Sequence, residues 1–139
     1  MNDIVVGVDQ SSTARRAAEK AAELAGAFGV NLHIVYCISR KSSKVVGSGS
    51  DEWFVSPTAE AETFLNTLTL ELDYDHITTA VSHSEPADAM CHEAERLGAH
   101  TIVVGNRRVQ GMARVLGSIA GDVLKQAPCD VLIANTIGA

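Results

Sequence analysis

The sequence predicts an α/β fold: an open parallel five-stranded sheet with helices on both faces. Three observations predict it. The strand-like runs are short, apolar and non-alternating, as in Ile4-Val5-Val6-Gly7-Val8, the pattern of strands covered on both faces. These runs alternate with stretches of helical spacing in the order β-α-β-α-β-α-β-α-β, which implies parallel pairing through right-handed crossovers. Hydrophobic residues make up 46% of the chain but aromatic residues only 4%, so Ala, Val, Leu and Ile carry the core, as close packing of helices on a sheet requires. With no internal repeat or linker, the 139 residues read as one domain over 1–139, long enough for a two-sided core.

The first strand is expected at Asp3–Val8, ending in the turn-like Asp9-Gln10-Ser11-Ser12. Thr13–Phe28 follows as a helix with Ala17, Ala21, Leu24 and Phe28 on one face, stopped by Gly29. Leu32–Ile38 is the second strand. Ser39–Ser50, polar, basic and glycine-containing, reads as a loop. Helical spacing returns over Thr58–Leu72 through Ala61, Phe64, Leu65, Leu68 and Leu72, and His76–Val81 fits the third strand. Pro86 suits the first turn of a helix running to Leu97 and closed by Gly98. Thr101–Val104 is the fourth strand, Ser118–Gln126 the last helix, and Asp130–Ala134 the last strand beyond the break at Pro128. In such sheets ligands bind at the carboxyl ends of the strands, where the strand order reverses.

The formal net charge of −6 opposes general attraction to nucleic-acid phosphates. No apolar run approaches the roughly 20 residues of a membrane span, and Met1-Asn2-Asp3 leads into the first strand without a signal-peptide pattern, so a cytoplasmic location is expected. Cys37, Cys91 and Cys129 are too few and too widely spaced for a disulfide framework.

The stretch from Gly105 to Ser118 carries the most chemistry. Arg107, Arg108 and Arg114 lie in it, and Gly105 has access to backbone conformations closed to other residues. Gly117-Ser118 can present backbone N–H groups at a helix N-terminus, where the dipole favours an anion. A second reading stays open: Gly105 and Gly111 as turn residues, Ser118 as an N-cap. Gly111 is not followed by Lys-Ser or Lys-Thr, so the mechanics of a P-loop hydrolase are missing.

This stretch resembles the phosphate loop of the universal stress proteins, Gly-x-x-Gly, nine residues, then Gly-Ser or Gly-Thr. Gly105 stands at the first glycine and Gly117-Ser118 at the terminal pair, but Arg108 replaces the second glycine and only eight residues separate it from Gly117. The resemblance extends to Ile4-Val5-Val6-Gly7-Val8-Asp9 with Ser11, to Pro86, and to Ala127-Pro128-Cys129-Asp130-Val131-Leu132-Ile133. It implies a Rossmann-like sheet of the adenine nucleotide alpha hydrolase-like kind. It also implies an adenine nucleotide, ATP or a relative such as cyclic AMP, with or without magnesium, between strands one and four. The site residues it implies are Gly7, Val8, Asp9 and Cys37 around adenine, with Val104, Gly105, Arg108, Gly117, Ser118 and Ile119 towards ribose and phosphates. Homodimerisation through the last strand is implied as well, since its edge would otherwise be bare.

The residues leave other readings beside these. Asp9 can accept from an adenine amino group or cap the following helix with Ser11 and Ser12. Cys37 suits a small apolar contact better than a nucleophile, and Trp53-Phe54-Val55 either lids the pocket or tucks the loop onto the sheet. His33, His76, His83, His92 and His100 lack metal-site spacing and read as surface or packing residues, His33 and His100 at strand starts far from the pocket. The functional expectation is a nucleotide-binding regulatory or stress-response protein acting on an unnamed protein partner. The rivals are a dimeric interaction module without nucleotide and a slow ATPase or self-phosphorylating protein using Ser118.

Overall fold

The computed structural model describes residues 2–38, 45–46, 53–54, 56–106 and 117–136. Its elements are β1 (Ile4–Val8), α1 (Ser12–Phe28), β2 (Leu32–Cys37), β3 (Val45–Val46), β4 (Trp53–Phe54) and α2 (Pro57–Glu71), then β5 (Ile77–Ser82), α3 (Pro86–Leu97), β6 (Thr101–Gly105), α4 (Ser118–Gln126) and β7 (Asp130–Ala134). The main sheet is five-stranded and wholly parallel, in the order β5-β2-β1-β6-β7. From β1 the chain builds outward through β2 to β5, then crosses back to lay down β6 and β7. The order therefore reverses between β1 and β6.

The alternation of side chains along each strand divides the core in two. Ile4, Val6 and Val8 of β1 face α1 and α2, packing with Leu32 and Ile34, the α1 alanines and Leu65 and Leu68. Val5 faces the other way, with Val35, Ile102 and Val104, onto α3 and α4. The buried residues of α1 are Ala17, Ala18, Ala21, Ala22 and Ala25, so the helix lies on the sheet mainly through methyl groups, with Leu24 half-buried beside them. Phe28, expected on that face, is instead 49% exposed and sets its ring 4.7 Å from that of His100. A bulky ring has no room where alanines set the spacing.

Local sequence fixes the helix ends. Ser11 caps α1, its Oγ accepting from Ala14 N–H at 3.1 Å, and Ser56 does the same for α2 through Ala59 N–H at 3.3 Å, with Pro57 following at the first helical position. Gly29 and Gly98 close α1 and α3 in the left-handed region, at φ 68° and 60°. The polar segment after β2 was expected to be only a loop, but Val45–Val46 pairs antiparallel with Trp53–Phe54 as a separate ribbon. Four residues carry too little periodicity to stand out, and their pairing is what makes them strands. The remainder of that segment, with Val55, lies outside the described residues.

Candidate functional site

At the carboxyl ends of β1, β2 and β6, over the reversal of strand order, the structure opens a cavity of about 950 Å³. α1, which follows β1, packs on one face of the sheet and α4, which follows β6, on the other, so a crevice is left between the ends of these two strands. Nine residues expected at the site line this one cavity: Gly7, Val8, Asp9, Cys37, Val104, Gly105, Gly117, Ser118 and Ile119. Arg108, the tenth, lies outside the described residues, as do Arg107, Gly111 and Arg114. Thr13, Tyr36, Glu60, Glu85 and Met90 line it too. Sequence reasoning passed over these; they sit on α1, β2, α2 and α3, with Glu85 at the cap just before α3, and only tertiary folding brings those elements to one opening.

The backbone at Asp9 joins the two readings of that residue. Asp9 Oδ1 accepts the Ser11 backbone N–H at 2.8 Å, and Ser11, not Asp9, caps α1. The aspartate thus shapes the turn that delivers the cap while its exposed carboxylate borders the cavity. Opposite it, Cys37 ends β2. Burial first, and the nearby Asp9 charge second, push its thiol up to about 12, so it stays protonated at neutral pH and presents a small, uncharged wall.

Two glycines differ from expectation in instructive ways. Gly105 was expected to exploit unusual backbone angles, yet the described residues with positive φ are Gly29 and Gly98 alone. The constraint there is instead steric crowding: a β-carbon would lie 3.1 Å from Thr136 Cγ2 and 3.2 Å from Thr13 Cγ2, closer than such contacts usually come. Ser118 is not the cap of α4 either. Gly117 occupies that position with extended φ −65° and ψ 160°, and having no side chain it makes no capping hydrogen bond. Ser118 begins the helix. The first backbone N–H groups of α4 therefore face the cavity mouth without a side-chain partner at the cap, the arrangement that receives an anion at a helix start.

Asn106 and Thr136 stitch the ends of β6 and β7 beside the cavity. Thr136 N–H donates to Asn106 Oδ1 at 2.8 Å, and Thr136 Oγ1 donates to the Asn106 carbonyl at 2.6 Å. This pair holds Gly105 in place under the mouth. No group of three or more His, Cys, Asp or Glu among the described residues is placed to hold a metal ion. No described helix is long and apolar enough to cross a membrane.

An open parallel sheet with helices on both faces, and its main cavity over the strand reversal, defines a Rossmann-like α/β protein. Residues 1–135 match the universal stress protein family. The chain belongs to that family. It is 30% identical over 142 aligned residues to universal stress protein Rv1636 of Mycobacterium tuberculosis, covering 96% of this chain and 95% of the relative. Among solved structures it resembles a universal stress protein in complex with cAMP, with a TM-score of 0.72, 26% identity and 97% of each chain covered. It also resembles the universal stress protein from Archaeoglobus fulgidus in complex with dAMP, with a TM-score of 0.64, 25% identity and 96% and 97% of the two chains covered.

Proposed function

We propose that this protein is a cytoplasmic stress-response regulator that binds an adenine nucleotide between β1 and β6. The observation that carries the proposal is the convergence of Asp9, Cys37 and the uncapped start of α4 on one cavity of about 950 Å³. Similar proteins bound to cAMP and dAMP support it. In this reading Gly7, Val8 and Cys37 flank the adenine and Asp9 accepts from its amino group. Val104 and Gly105 lie under the ribose. The N–H groups at Gly117, Ser118 and Ile119 receive phosphate, and Arg108 clasps it from the connecting loop. A magnesium ion would be held chiefly by the phosphates of ATP, since the described residues supply no carboxylate cluster for it.

The protein is not proposed to be an enzyme at this site; ATP hydrolysis or phosphorylation of Ser118 would at most be slow, for want of a base. The ligand's effect passes to a homodimer formed through β7, the edge strand, whose Val131, Leu132 and Ile133 are only half buried. A second reading, a dimeric interaction module without nucleotide, is favoured by Arg108 in place of a glycine and by the shortened loop.

Calorimetric titration with ATP, ADP, AMP and cyclic AMP, with and without magnesium, tests the proposal. Micromolar binding that disappears in Gly117→Val supports it. No heat from any of the four nucleotides would favour the interaction module.

A further inference from the structure

Away from the cavity, on the α3 face of the sheet, four side chains form a chain of hydrogen bonds that nucleotide binding does not use. The register of β2 against β5 sets His33 beside Thr78. His33 Nδ1 lies 2.6 Å from Thr78 Oγ1, and His33 Nε2 lies 2.8 Å from Glu93 Oε1 of α3. Arg96, one turn further along α3, grips the same carboxylate twice, Nε to Oε2 at 2.8 Å and Nη2 to Oε1 at 3.0 Å. His33 and Glu93 are buried, at 3% and 9% exposure, whereas Thr78 is exposed on the edge strand.

From this arrangement we infer that Thr78 is a nucleophilic hydroxyl, activated by His33 and Glu93, that accepts an acyl group from an activated carboxylic ester or thioester. The order hydroxyl, imidazole, carboxylate is that of an activated nucleophile, its base, and the group that orients the base. The Arg96 hydrogen bond above all, with help from His33 and against the cost of burial, holds the Glu93 carboxyl down at about 2. An ionised Glu93 can only accept, so in the neutral ring the Nε2–H donates to it and the Nδ1 lone pair faces the Thr78 hydroxyl.

The edge of the sheet supplies the complementary group. Leu32 N–H donates to the His76 carbonyl and Ile38 N–H to the Ser82 carbonyl. In a parallel ladder these anchors turn the backbone of the even-numbered β5 residues towards β2 and that of the odd-numbered ones outward. The N–H of Thr79, the residue after the nucleophile, thus points to the open edge and is left to donate to an oxyanion formed on the acyl group at Thr78. In the step, Thr78 Oγ1 attacks the acyl carbon and its proton passes to His33 Nδ1. The bond from acyl carbon to the leaving oxygen or sulfur breaks, and the proton on Nδ1 goes to that leaving group. One ester bond forms, one ester or thioester bond breaks, and nothing is oxidised or reduced.

The test is to expose the full chain to p-nitrophenyl acetate at neutral pH and map acetyl groups by peptide mass spectrometry. Thr79 serves as the reference within the same digest, being exposed on the same strand with no imidazole bonded to its hydroxyl. Acetylation of Thr78 at least about 100-fold faster than of Thr79 is expected, the low end of what a positioned base contributes. Thr78→Ser is expected to keep that label and Glu93→Gln to slow it. Equal labelling of Thr78 and Thr79 in the unmodified protein overturns the inference without any variant having to fold.

Discussion

A β-carbon on Gly7 would stand 2.7 Å from Met90 Sδ, with Met90 Cγ and Cε at 3.0 and 3.1 Å. The side chain of Met90 lies along the backbone of β1 beside the cavity, 3% exposed, so a β-carbon on Gly7 would have to displace the end of its thioether. The glycine in this apolar strand therefore leaves the space that the Met90 thioether of α3 fills. It also brings β1 and α3 close enough to share one cavity wall.

Gly7→Ala is expected to destabilise the fold by about 1–3 kcal/mol through overpacking. The double variant Gly7→Ala/Met90→Ala should be less unstable than the sum of the two single changes, because the added methyl occupies space the thioether leaves. Urea denaturation of the four proteins measures the coupling. Strict additivity would mean that Met90 is not what excludes the β-carbon.

Cys37 is expected to react slowly. With its thiol pushed up to about 12 from an ordinary 9.0, its thiolate fraction near pH 8 is lower by about a thousandfold, and alkylation by iodoacetamide should slow in proportion. Asp9→Asn should speed it only a few-fold, since burial is the larger cause and the Asp9 charge the smaller. Peptide mapping against time checks both, and labelling at the rate of an exposed cysteine would contradict them.

Glu93 should leave a mark on acid stability. Its carboxyl is held at about 2 in the fold against an ordinary 4.5, a depressed value, so its contribution is complete above 4.5 and drains away as pH falls from there towards 2. The contribution is up to about 3 kcal/mol. Stability of the unmodified protein should therefore drop between pH 5 and pH 3 on this account, and Glu93→Gln should flatten that part of the curve while lowering stability at pH 7. Parallel curves for the two proteins would show that the carboxylate is not the group responsible.

The turn after β1 allows stability and ligand binding to be separated. Ser11→Ala removes the α1 cap and should cost about 1 kcal/mol. Asp9→Asn keeps the Oδ1 that accepts from Ser11 N–H, so its stability should change by less than about 0.5 kcal/mol. Its new NH₂ opposes the adenine amino group, and nucleotide affinity should fall by about tenfold. Thermal unfolding and calorimetry together check this. A large stability loss with unchanged affinity would assign Asp9 to the turn alone.

The helices and parallel strands were legible in order because they repeat a pattern several times over. Ile4–Val8 had to be covered on both faces, and Ala17 and Ala21 had to lie on something close. Gly29 and Gly98 announced helix ends that the backbone then realised at positive φ. The ribbon of Val45–Val46 with Trp53–Phe54 was not legible, since two residues have no period. The cavity was half legible. Gly7, Asp9, Cys37 and Gly117 sit at the ends of recognisable elements, whereas Glu60 and Met90 reach the same cavity from helices whose local sequence carries no sign of it.

By itself, the sequence determined what depends on neighbours along the chain: which stretches could be strands or helices, and where caps and stops fall. Tertiary structure alone decided what depends on neighbours in space. It set the methyls of Thr13 and Thr136 tightly around Gly105, and placed the Asp9 charge close enough to raise the Cys37 thiol. It also drew Thr78, His33 and Glu93, from three separate elements, into one line of hydrogen bonds. The physical reason is range. Propensity and periodicity act over a few residues, while steric exclusion, desolvation and hydrogen bonding act over a few ångströms, and only the folded sheet turns one kind of distance into the other.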